Sequence, residues 1–437
     1  MRKIFVGSII CLLHFFVQAQ SNQAPLPAKV NLQQAVDYSI THQPVVQQAL
    51  VDQEITEANI KSRLADWYPQ VNFNYALQRN FIVQTAIIGD NKVKLGTNNT
   101  SNAQFTLSQT IFNRDVLLAS RTRTRVRQQA QQNTSSNKIE IAAAVSKAFY
   151  DVLASEQQIK VSTENINRIQ RSLKDAYNQY QAGVTDKTDY KRATIGLNNA
   201  QALKKTNEEQ LKAKLGYLKS LMGYPDSAQL EIEYDSLQME KEVYFDTLQT
   251  ADVTKRIEYR LLETQRSLLQ ANLKYNRWSF LPSLSANGAY NLNYQNNSFG
   301  QLYDVNYPNS FAALTLNFPI FQGGKRRANI QAAEWELQRS KLDIINLENN
   351  VNAEFSAAMS NYKGNLANYL ALKENLALAT EVYDVIQLQY RSGIKTYLEV
   401  INSETDLRTA QINYYNALYN LLASKIDVQK ALGQINY

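Results

Sequence analysis

The stretch LTLNFPIFQGGKRRANIQAAE, residues 314–334, begins with alternating apolar and polar residues and ends as a charged, amphipathic segment. Pro319 and the adjacent glycines Gly323 and Gly324 separate the two patterns, with no longer loop between them. The first pattern is typical of a strand and the second of a helix. Because glycine accepts backbone angles that neither element uses, we predict a direct strand-to-helix transition at Gly323 and Gly324.

The transition occurs twice, because FTLSQTIFNRDVLLASRTR at residues 105–123 shows the same order of patterns. Three further pairs of similar segments lie roughly 210 residues apart: ITEANIKSRLADWYPQV with LLQANLKYNRWSFLPSL, YQAGV with YRSGI, and SLMG with KALG. Matches in one order at nearly constant spacing indicate an internal duplication. The predicted organisation is a signal peptide at 1–19, a first repeat at 20–223, a linking segment at 224–250 and a second repeat at 251–437.

Each repeat contains two runs in which apolar and polar residues alternate with a period of two. In the first run, Val71 and Phe73 are separated and flanked by polar residues. Runs of about ten such residues predict strands with one apolar and one wet face, as in outer-membrane β-barrels. The predicted strand pairs span about 69–112 and 282–321, with Phe318 in the last strand, and a polar hairpin loop joins the strands of each pair.

Long helical segments follow each strand pair. Residues 115–182 contain no proline or glycine, and residues 325–392 contain only Gly364. As helices, both segments would be about 100 Å long, at about 1.5 Å per residue. Apolar residues recur every seven positions through both segments, which predicts coiled-coil-like packing. The recurring positions are Val145, Val152, Ile159, Ile166, Leu173 and Tyr180 in the first, and Phe355, Tyr362, Tyr369, Leu376, Tyr383 and Tyr390 in the second.

Each long helical segment is followed by a short turn and a second periodic segment. The turns are AGVTDKTD, which contains Gly183, and SGIKTYLE, which contains Gly393. A glycine just after the last helical residue is the expected C-cap, because it adopts a positive φ without steric penalty. We therefore predict two helical hairpins whose turns lie about 100 Å from the strands.

The bulk composition limits the kinds of protein that fit. The chain has 437 residues, 44% of them hydrophobic, and a formal net charge of +7. The N-terminus predicts a signal peptide and therefore an exported protein. It has the basic residues Arg2 and Lys3, the apolar run 4–16 and a small-residue cleavage site. Cys11, the one cysteine, lies in this signal, so we expect neither disulfides nor thiol chemistry. With His42 as the one histidine after the signal, and no phosphate-binding loop, we expect no cofactor, no metal site and no enzyme activity.

Four amphipathic strands are too few to close a membrane barrel, and an open edge would leave backbone groups unpaired in lipid. The chain is therefore expected to oligomerise, with eight strands from two copies or twelve from three. Trp67, Tyr68, Trp278 and Phe280 lie where the first strand of each repeat begins, as an interfacial aromatic girdle would. Together with the export signal, the amphipathic strands predict a protein embedded in the lipid of the bacterial outer membrane.

The segment NLQQAVDYSITHQPVVQQA, the passage LNFPIFQGGKRRANIQAAE and the two glycine-turned hairpins resemble the TolC family of outer-membrane efflux proteins. The resemblance implies an α+β membrane protein, a homotrimer whose twelve-stranded outer-membrane β-barrel continues as a long α-helical periplasmic barrel. It also implies a passive channel-tunnel of a tripartite efflux or type I secretion system, docked to a periplasmic adaptor protein and an inner-membrane pump. Two sites depart from the family pattern: Gln43-Pro44 replaces Asn-Pro, and Arg114-Asp115 replaces the Gly-Gly in the first repeat.

The same resemblance implies roles for residues at the hairpin turns. A latch that holds neighbouring hairpins closed corresponds to Asp189, Tyr390 and Lys395, and an acidic ring at the periplasmic entrance corresponds to Glu399. The second acid of that ring corresponds to Asn402, so the ring is expected to be weaker here. The adaptor is expected to contact the turns at Gly183, Val184, Thr185, Gly393 and Ile394.

Basic residues follow both strand pairs, at Arg121, Arg123, Arg125 and Arg127 and again at 325–327. Just below the membrane, they are expected to meet anionic lipid headgroups, and we expect no nucleic-acid partner for an exported protein. The alternative to a channel is a trimeric coiled-coil stalk or adhesin anchored by a small barrel. The strand–strand–helix–helix order of each repeat favours the channel, because an adhesin stalk has no internal return of the chain.

Overall fold

A computed structural model describes residues 29–233 and 236–437, and the signal peptide predicted at 1–19 lies outside these described residues. The elements up to the end of the first hairpin are β1 (Lys29–Val30), α1 (Leu32–His42), α2 (Pro44–Ala65), β2 (Gln70–Arg79), β3 (Thr85–Ile88), β4 (Asn91–Lys94), β5 (Asn99–Phe112), α3 (Arg114–Gln181) and α4 (Lys187–Met222). The later elements are β6 (Glu231–Ile232), α5 (Ser236–Glu242), α6 (Ile257–Arg277), β7 (Ser283–Asn296), β8 (Asn309–Asn317), α7 (Lys325–Arg391) and α8 (Tyr397–Ala431). In both halves, a shorter helix precedes two sheet strands and a long helical hairpin follows them.

Strands β2, β5, β7 and β8 form one antiparallel sheet in that order. The two halves of the chain meet at its centre, where Phe105 of β5 lies opposite Phe73 on one side and Tyr290 on the other. Residues directly opposite each other share a face of the sheet. The outer strands β2 and β8 are edges, and every residue of both is exposed in the single chain.

The strands differ from the prediction in two places. Strand β8 ends before Phe318, and the next residue, Pro319, lacks the backbone N–H that a longer strand would donate. The loop between β2 and β5 contains a hairpin of its own, β3–β4, which turns at Gly89 and Asp90. Gly89 has a φ of 63°, a left-handed conformation that glycine adopts readily in tight hairpin turns.

The two strand-to-helix junctions have different backbone geometries. Asn113 precedes α3 in an extended conformation, and its Oδ1 accepts a hydrogen bond from the N–H of Asp115 at 2.7 Å. Gly323 and Gly324 precede α7 with φ angles of 57° and 86°. Residues 318–324 separate β8 from α7, so the predicted direct transition is wrong in the second repeat. Left-handed angles cost a residue with a side chain about 1–2 kcal/mol. The second junction therefore depends on glycine, whereas the first depends on a side-chain cap.

Each long helix folds back onto a shorter one, which gives the hairpins α3–α4 and α7–α8. Helix α3 has 68 residues and α7 has 67, so each is about 100 Å long. None of the predicted heptad positions is exposed, and Val145, Val152, Tyr362 and Tyr369 are at most 2% exposed. The predicted seven-residue packing period is therefore confirmed.

The larger cluster of buried apolar side chains lies partway along the hairpins. Helix α1, all four hairpin helices and the segment linking the repeats contribute to it. Val243 of that segment is fully buried, and its carbonyl oxygen accepts a hydrogen bond from the Tyr362 hydroxyl at 2.6 Å. Strands β1 and β6 pair in parallel before α5. The linking segment is thus part of the core, which its acidic, weakly periodic sequence did not indicate.

Candidate functional site

The turns of the two helical hairpins have the same backbone geometry. Gly183 and Gly393 have φ angles of 71° and 74°. In each turn, the N–H after the glycine donates at 2.9 Å to the carbonyl oxygen of Gln179 or Gln389, near the end of the long helix. These features are those of a Schellman C-cap, in which the turn's own backbone satisfies the last helical carbonyl groups. The left-handed glycines predicted at both turns are confirmed.

The residue after each turn glycine is an exposed aliphatic side chain. Val184 and Ile394 are each 72% exposed. Thr185 is half-buried, and its Oγ1 has no hydrogen-bond partner among the described residues. The chain therefore presents two equivalent apolar contacts at the ends of its hairpins, a composition suited to a protein partner.

Lys395 and Glu399 bind each other within one chain. Lys395 Nζ donates to Glu399 Oε1 at 2.6 Å, and the N–H of Thr396 donates to Glu399 Oε2 at 2.9 Å. These hydrogen bonds, that of Lys395 first, lower the pKa of Glu399, which is therefore a carboxylate at neutral pH. The predicted latch cation and the predicted entrance acid are thus direct partners, and such exposed pairs exchange readily.

The other two predicted latch residues, Asp189 and Tyr390, come together from different hairpins. Tyr390 is 4% exposed, and its hydroxyl donates to Gln179 Oε1 at 3.1 Å. Burial, followed by the negative charge of Asp189, raises the pKa of Tyr390. Asp189 and Lys395, both in the described part of the chain, form no ion pair with each other in the single chain. The four predicted residues therefore gather at one end of the molecule, in two separate groups.

A small buried cluster that the sequence did not reveal packs these residues together. It contains Ala193 of α4, Tyr390 of α7, and Tyr397 and Val400 of α8, each at most 4% exposed. The rings of Tyr390 and Tyr397 are 5.9 Å apart. Tyr397 follows the turn, so the heptad period of α7 could not reveal that it is buried. The cluster fixes the relative position of the two turns.

The four-stranded sheet has one apolar face and one amide-rich face. On the amide-rich face, Asn291 Nδ2 donates to Asn309 Oδ1 at 2.7 Å, and Asn102 donates to Asn293. Arg79, the last residue of β2, is the one charged residue in these four strands. By strand alternation Arg79 shares the face of Phe73, so the amide-rich face of these strands is polar and uncharged. Cross-strand hydrogen bonds hold its side chains in place.

Aromatic residues lie at both ends of the apolar face. At one end, the hydroxyl oxygens of Tyr75 and Tyr303 are 2.8 Å apart, and the ring of Tyr303 lies 5.1 Å from that of Tyr294. At the other end, the guanidinium of Arg121 lies 4.7 Å from the ring centre of Trp278. Aromatic residues at two levels are typical of the two membrane–water interfaces. The sequence pattern did not reveal the group of Tyr75, Tyr294 and Tyr303, because Tyr303 lies in the loop after β7.

Several basic residues near the strands already have partners within the chain. Arg127 makes a bidentate ion pair with Glu57, at 2.8 and 3.0 Å. Arg326 donates to the carbonyl oxygen of Pro319 at 3.0 Å, whereas Arg123 is exposed. Binding of anionic headgroups by the basic residues at 121–127 and 325–327 stays a prediction. Contacts within the chain already fix the positions of Arg127 and Arg326.

Within residues 29–233 and 236–437, no helix is both long and apolar enough to cross a bilayer. In the same part of the chain, no group of three or more His, Cys, Asp and Glu side chains is arranged to hold a metal ion.

The sequence model described as outer membrane efflux protein matches residues 36–224 and 260–434, which together are most of the chain. The chain belongs to the outer membrane efflux protein family. Membership locates it in the outer membrane, in line with the sequence-based prediction.

A relative within this efflux family shows how far the sequence has diverged. The chain is 20% identical to the outer membrane protein TolC of Escherichia coli over 299 residues. That alignment covers 66% of this chain and 60% of the relative. The chain thus spans about three fifths of the relative's length in this match, and the predicted resemblance to the TolC family is confirmed.

Solved structures share the fold of this efflux family member. A CusC structure superposes with a TM-score of 0.73 at 16% identity and covers 94% of this chain and 95% of that one. The outer membrane protein VceC from Vibrio cholerae superposes with a TM-score of 0.69 at 13% identity, covering 92% of this chain and 96% of VceC. These likenesses establish the fold, a sheet continued by long helical hairpins.

Proposed function

We propose that the chain is the outer-membrane channel of a tripartite efflux or type I secretion system. It would passively conduct substrates from a periplasmic adaptor and inner-membrane pump to the exterior. One observation carries the proposal: an amphipathic sheet with two unpaired edges continues into hairpins about 100 Å long, with only short connections between strands and helices. A single chain therefore supplies both a segment of membrane wall and a segment of periplasmic wall.

Closure of the sheet requires other copies of the chain. Strands β2 and β8 leave backbone groups unpaired at both edges, which lipid does not tolerate. If β2 of one copy pairs with β8 of the next, three copies give a twelve-stranded barrel. A ring of that size has room for an aqueous lumen, whereas eight strands leave an interior that side chains fill. The homotrimer is therefore the assembly that suits conduction.

The duplication also indicates which helices meet between copies. Within the chain α3 packs against α8, with the ion pairs Lys147–Asp427 and Glu140–Lys430 across this seam. In the first repeat, Tyr217 of α4 occupies the position that corresponds to Asp427, and its side chain is 61% exposed. Exposed apolar side chains on α7 are Trp335, Leu342, Ile345, Leu370, Leu378, Val382, Val385 and Leu388. A helix with so much exposed apolar surface needs a cover, and α4 of a neighbouring copy would supply it, as α8 covers α3.

The amide-rich face of the sheet suits the lumen of a passive channel. Porin-like barrels place apolar residues toward lipid and polar residues toward water. The cross-strand amide contacts, including Asn291 with Asn309, leave a wall without fixed charge that binds no single class of solute strongly. Substrate choice would then belong to the pump and the adaptor.

The hairpin turns are proposed to form the gate and the docking surface. Lys395 would exchange Glu399 for Asp189 of a neighbouring copy when the entrance closes, with Tyr390 packed behind them. Three copies of Glu399 near the axis would favour cations. Val184 and Ile394, equivalent and exposed, would insert between helices of the adaptor.

Removing the latch is expected to raise the conductance of the closed channel. In the double variant Asp189→Ala with Lys395→Ala, neighbouring turns lose their proposed ion pair, so the entrance widens. Single-channel recording in planar bilayers would measure the change. The matched control is Lys204→Ala with Glu208→Ala, which removes the ion pair at 3.8 Å on α4, away from the turns. An unchanged closed-state conductance in the latch variant would show that the latch assignment is wrong.

Recording from the purified wild-type protein tests the function itself. A channel gives discrete conductance steps after insertion into a planar bilayer, whereas a coiled-coil stalk gives none. A trimeric preparation that inserts but never conducts would contradict the channel and favour the stalk.

A further inference from the structure

One buried carboxylate lies between the two hairpins, on the helix that begins at the second turn. Glu404 of α8 is 6% exposed, and no other Asp or Glu in the described part of the chain is buried to that degree. It lies about 10 Å along α8 from Tyr397, at about 1.5 Å per residue. A buried charge is unfavourable unless it is both paired and hydrogen-bonded, so its surroundings decide its state.

The cation that faces Glu404 comes from the other hairpin. Arg168 Nε of α3 lies 3.7 Å from Glu404 Oε1, too far for a hydrogen bond, and the two side chains are 12% and 8% exposed. Neither atom has another hydrogen-bond partner among the described residues. The guanidinium also lies 5.8 Å from the ring centre of Tyr383 on α7. An incompletely satisfied ion pair thus joins α3 to α7 and α8.

The repeat-related positions carry no charge. At the repeat spacing of roughly 210 residues, Arg168 corresponds to Leu378 of α7 and Glu404 corresponds to Thr194 of α4. Leu378 is 53% exposed in the single chain. In the assembly proposed above, these two residues would face each other between neighbouring copies. The buried ionic contact is therefore specific to the seam inside each chain, and half of the seams around the ring would contain it.

We propose that Arg168 and Glu404 are positioning residues that hold the two hairpins of one chain together at the closed entrance, and that ionisation of Glu404 loosens this contact. The proposal rests on the proposed channel function. In the closed seam, an ionised Glu404 keeps one carboxylate oxygen without a hydrogen bond, whereas a neutral Glu404 brings no charge into the contact. In an opened seam, water reaches the carboxylate, so ionisation favours separation of the hairpins.

The direction of the pH effect follows from burial. Burial is the largest influence and raises the pKa of Glu404 from its ordinary 4.5 to about 7, although three nearby arginines lower it. A carboxyl whose pKa is raised in the packed state stabilises that state fully below about pH 4.5. This contribution to stability is lost as the pH rises through about 7. The charged and titratable groups facing Glu404 are Arg168 and Arg171 of α3, Tyr383 of α7, and Arg408 and Tyr397 of α8.

Neighbouring groups do not produce the same transition. Burial raises the pKa values of Tyr383 and Tyr397 above that of an ordinary tyrosine, so both stay neutral near pH 7. Arginine stays charged throughout this range. Glu404 is therefore the member of this group whose charge changes near pH 7.

Single-channel recording between about pH 6 and about pH 8.5 tests the proposal. The open fraction of the wild type is expected to rise several-fold through about pH 7. Glu404→Gln, neutral and of the same size, should stay at the acid level at every pH. Arg168→Gln removes a cation that lowers the pKa of Glu404, so the midpoint should move to higher pH. Asp406→Asn, an exposed acid on the same helix, should keep the wild-type midpoint.

Thermal unfolding gives a second readout that does not require conduction. The Tm of the wild type should fall as the pH rises from about 6 to about 8, and that of Glu404→Gln should not. A pH transition that persists in Glu404→Gln, or a wild type with none, would overturn this proposal and leave the channel standing. A wild type that never conducts would instead refute the channel, and the Tm comparison would still decide whether Glu404 loosens the seam.

Discussion

Tyr362→Ala is expected to lower the free energy of unfolding by about 4 kcal/mol, a typical loss for a large aromatic side chain cut to alanine in a core. Tyr362 is fully buried, and its ring centre lies 6.1 Å from that of Phe245. Its hydroxyl donates to the carbonyl oxygen of Val243 at 2.6 Å. Because Val243 and Phe245 belong to the segment linking the repeats, the substitution should release that segment from α7. Denaturant unfolding followed by circular dichroism measures the loss.

Tyr362→Phe is the matched control for this prediction. It keeps the buried ring and removes only the hydroxyl, which leaves the carbonyl oxygen of Val243 without its donor. The expected loss is about 1–2 kcal/mol, the usual effect of one unsatisfied buried group. Equal destabilisation by the alanine and phenylalanine variants would show that the hydrogen bond, rather than ring burial, holds the linking segment.

Gly223→Ala is expected to destabilise the protein by about 3 kcal/mol, through two additive effects. Gly223 ends α4 with a φ of 68°, where a side chain is strained by about 1–2 kcal/mol. A Cβ there would also lie 2.8 Å from the carbonyl oxygen of His42 and 3.0 Å from Gln43 Cα. Either the end of α4 or the turn between α1 and α2 must then shift.

Two other glycines allow the cost of backbone strain to be measured separately from the cost of a short Cβ contact. Gly183 has a similar φ of 71°, but nothing lies within 4 Å of a Cβ placed there, so Gly183→Ala should show the strain alone. Gly433, the repeat-related partner of Gly223, would bring a Cβ to 3.1 Å from the carbonyl oxygen of Lys255. Thermal melts should therefore rank the losses in Tm as Gly223→Ala, then Gly433→Ala, then Gly183→Ala. If Gly183→Ala lost as much as Gly223→Ala, the close approach to α1 would not matter.

Features with a local period were predictable from the sequence. The strands showed a period of two, so Phe73 and Val71 were assigned to one face before any pairing was known. The long helices showed a period of seven, and the turns showed a glycine at the position that requires a left-handed residue. The hairpin β3–β4 also has a local signal, because Gly89-Asp90 is a two-residue turn sequence between the apolar TAII and the alternating NKVK, although only one polar loop was predicted there.

Features that depend on distant residues were not predictable. Nothing local indicates that β5 pairs with β7, because that pairing joins the two repeats. Arg168 and Glu404 lie on different hairpins, and neither has an unusual sequence context. Lys395 lies in the turn just before the N-cap Thr396, and Glu399 lies in the first turn of α8, so a spacing of four residues lets these opposite charges meet locally. The family resemblance instead assigned Lys395 to a latch with Asp189, and these two residues form no ion pair within the single chain.

The central claim is that the amide-rich face of the sheet lines a conducting lumen while the apolar face meets lipid. Phe73 and Asn74 are neighbours on β2 and point to opposite faces of the sheet. Cys11, within the predicted signal peptide, is the one cysteine of the sequence, so a single cysteine can be introduced into the mature chain without background.

The most direct measurement is single-channel conductance of Asn74→Cys and Phe73→Cys before and after a charged, membrane-impermeant methanethiosulfonate reagent. The account predicts that the reagent lowers the conductance of Asn74→Cys and leaves Phe73→Cys unchanged. Loss of conductance at Phe73→Cys with none at Asn74→Cys, or no loss at either position, would contradict it.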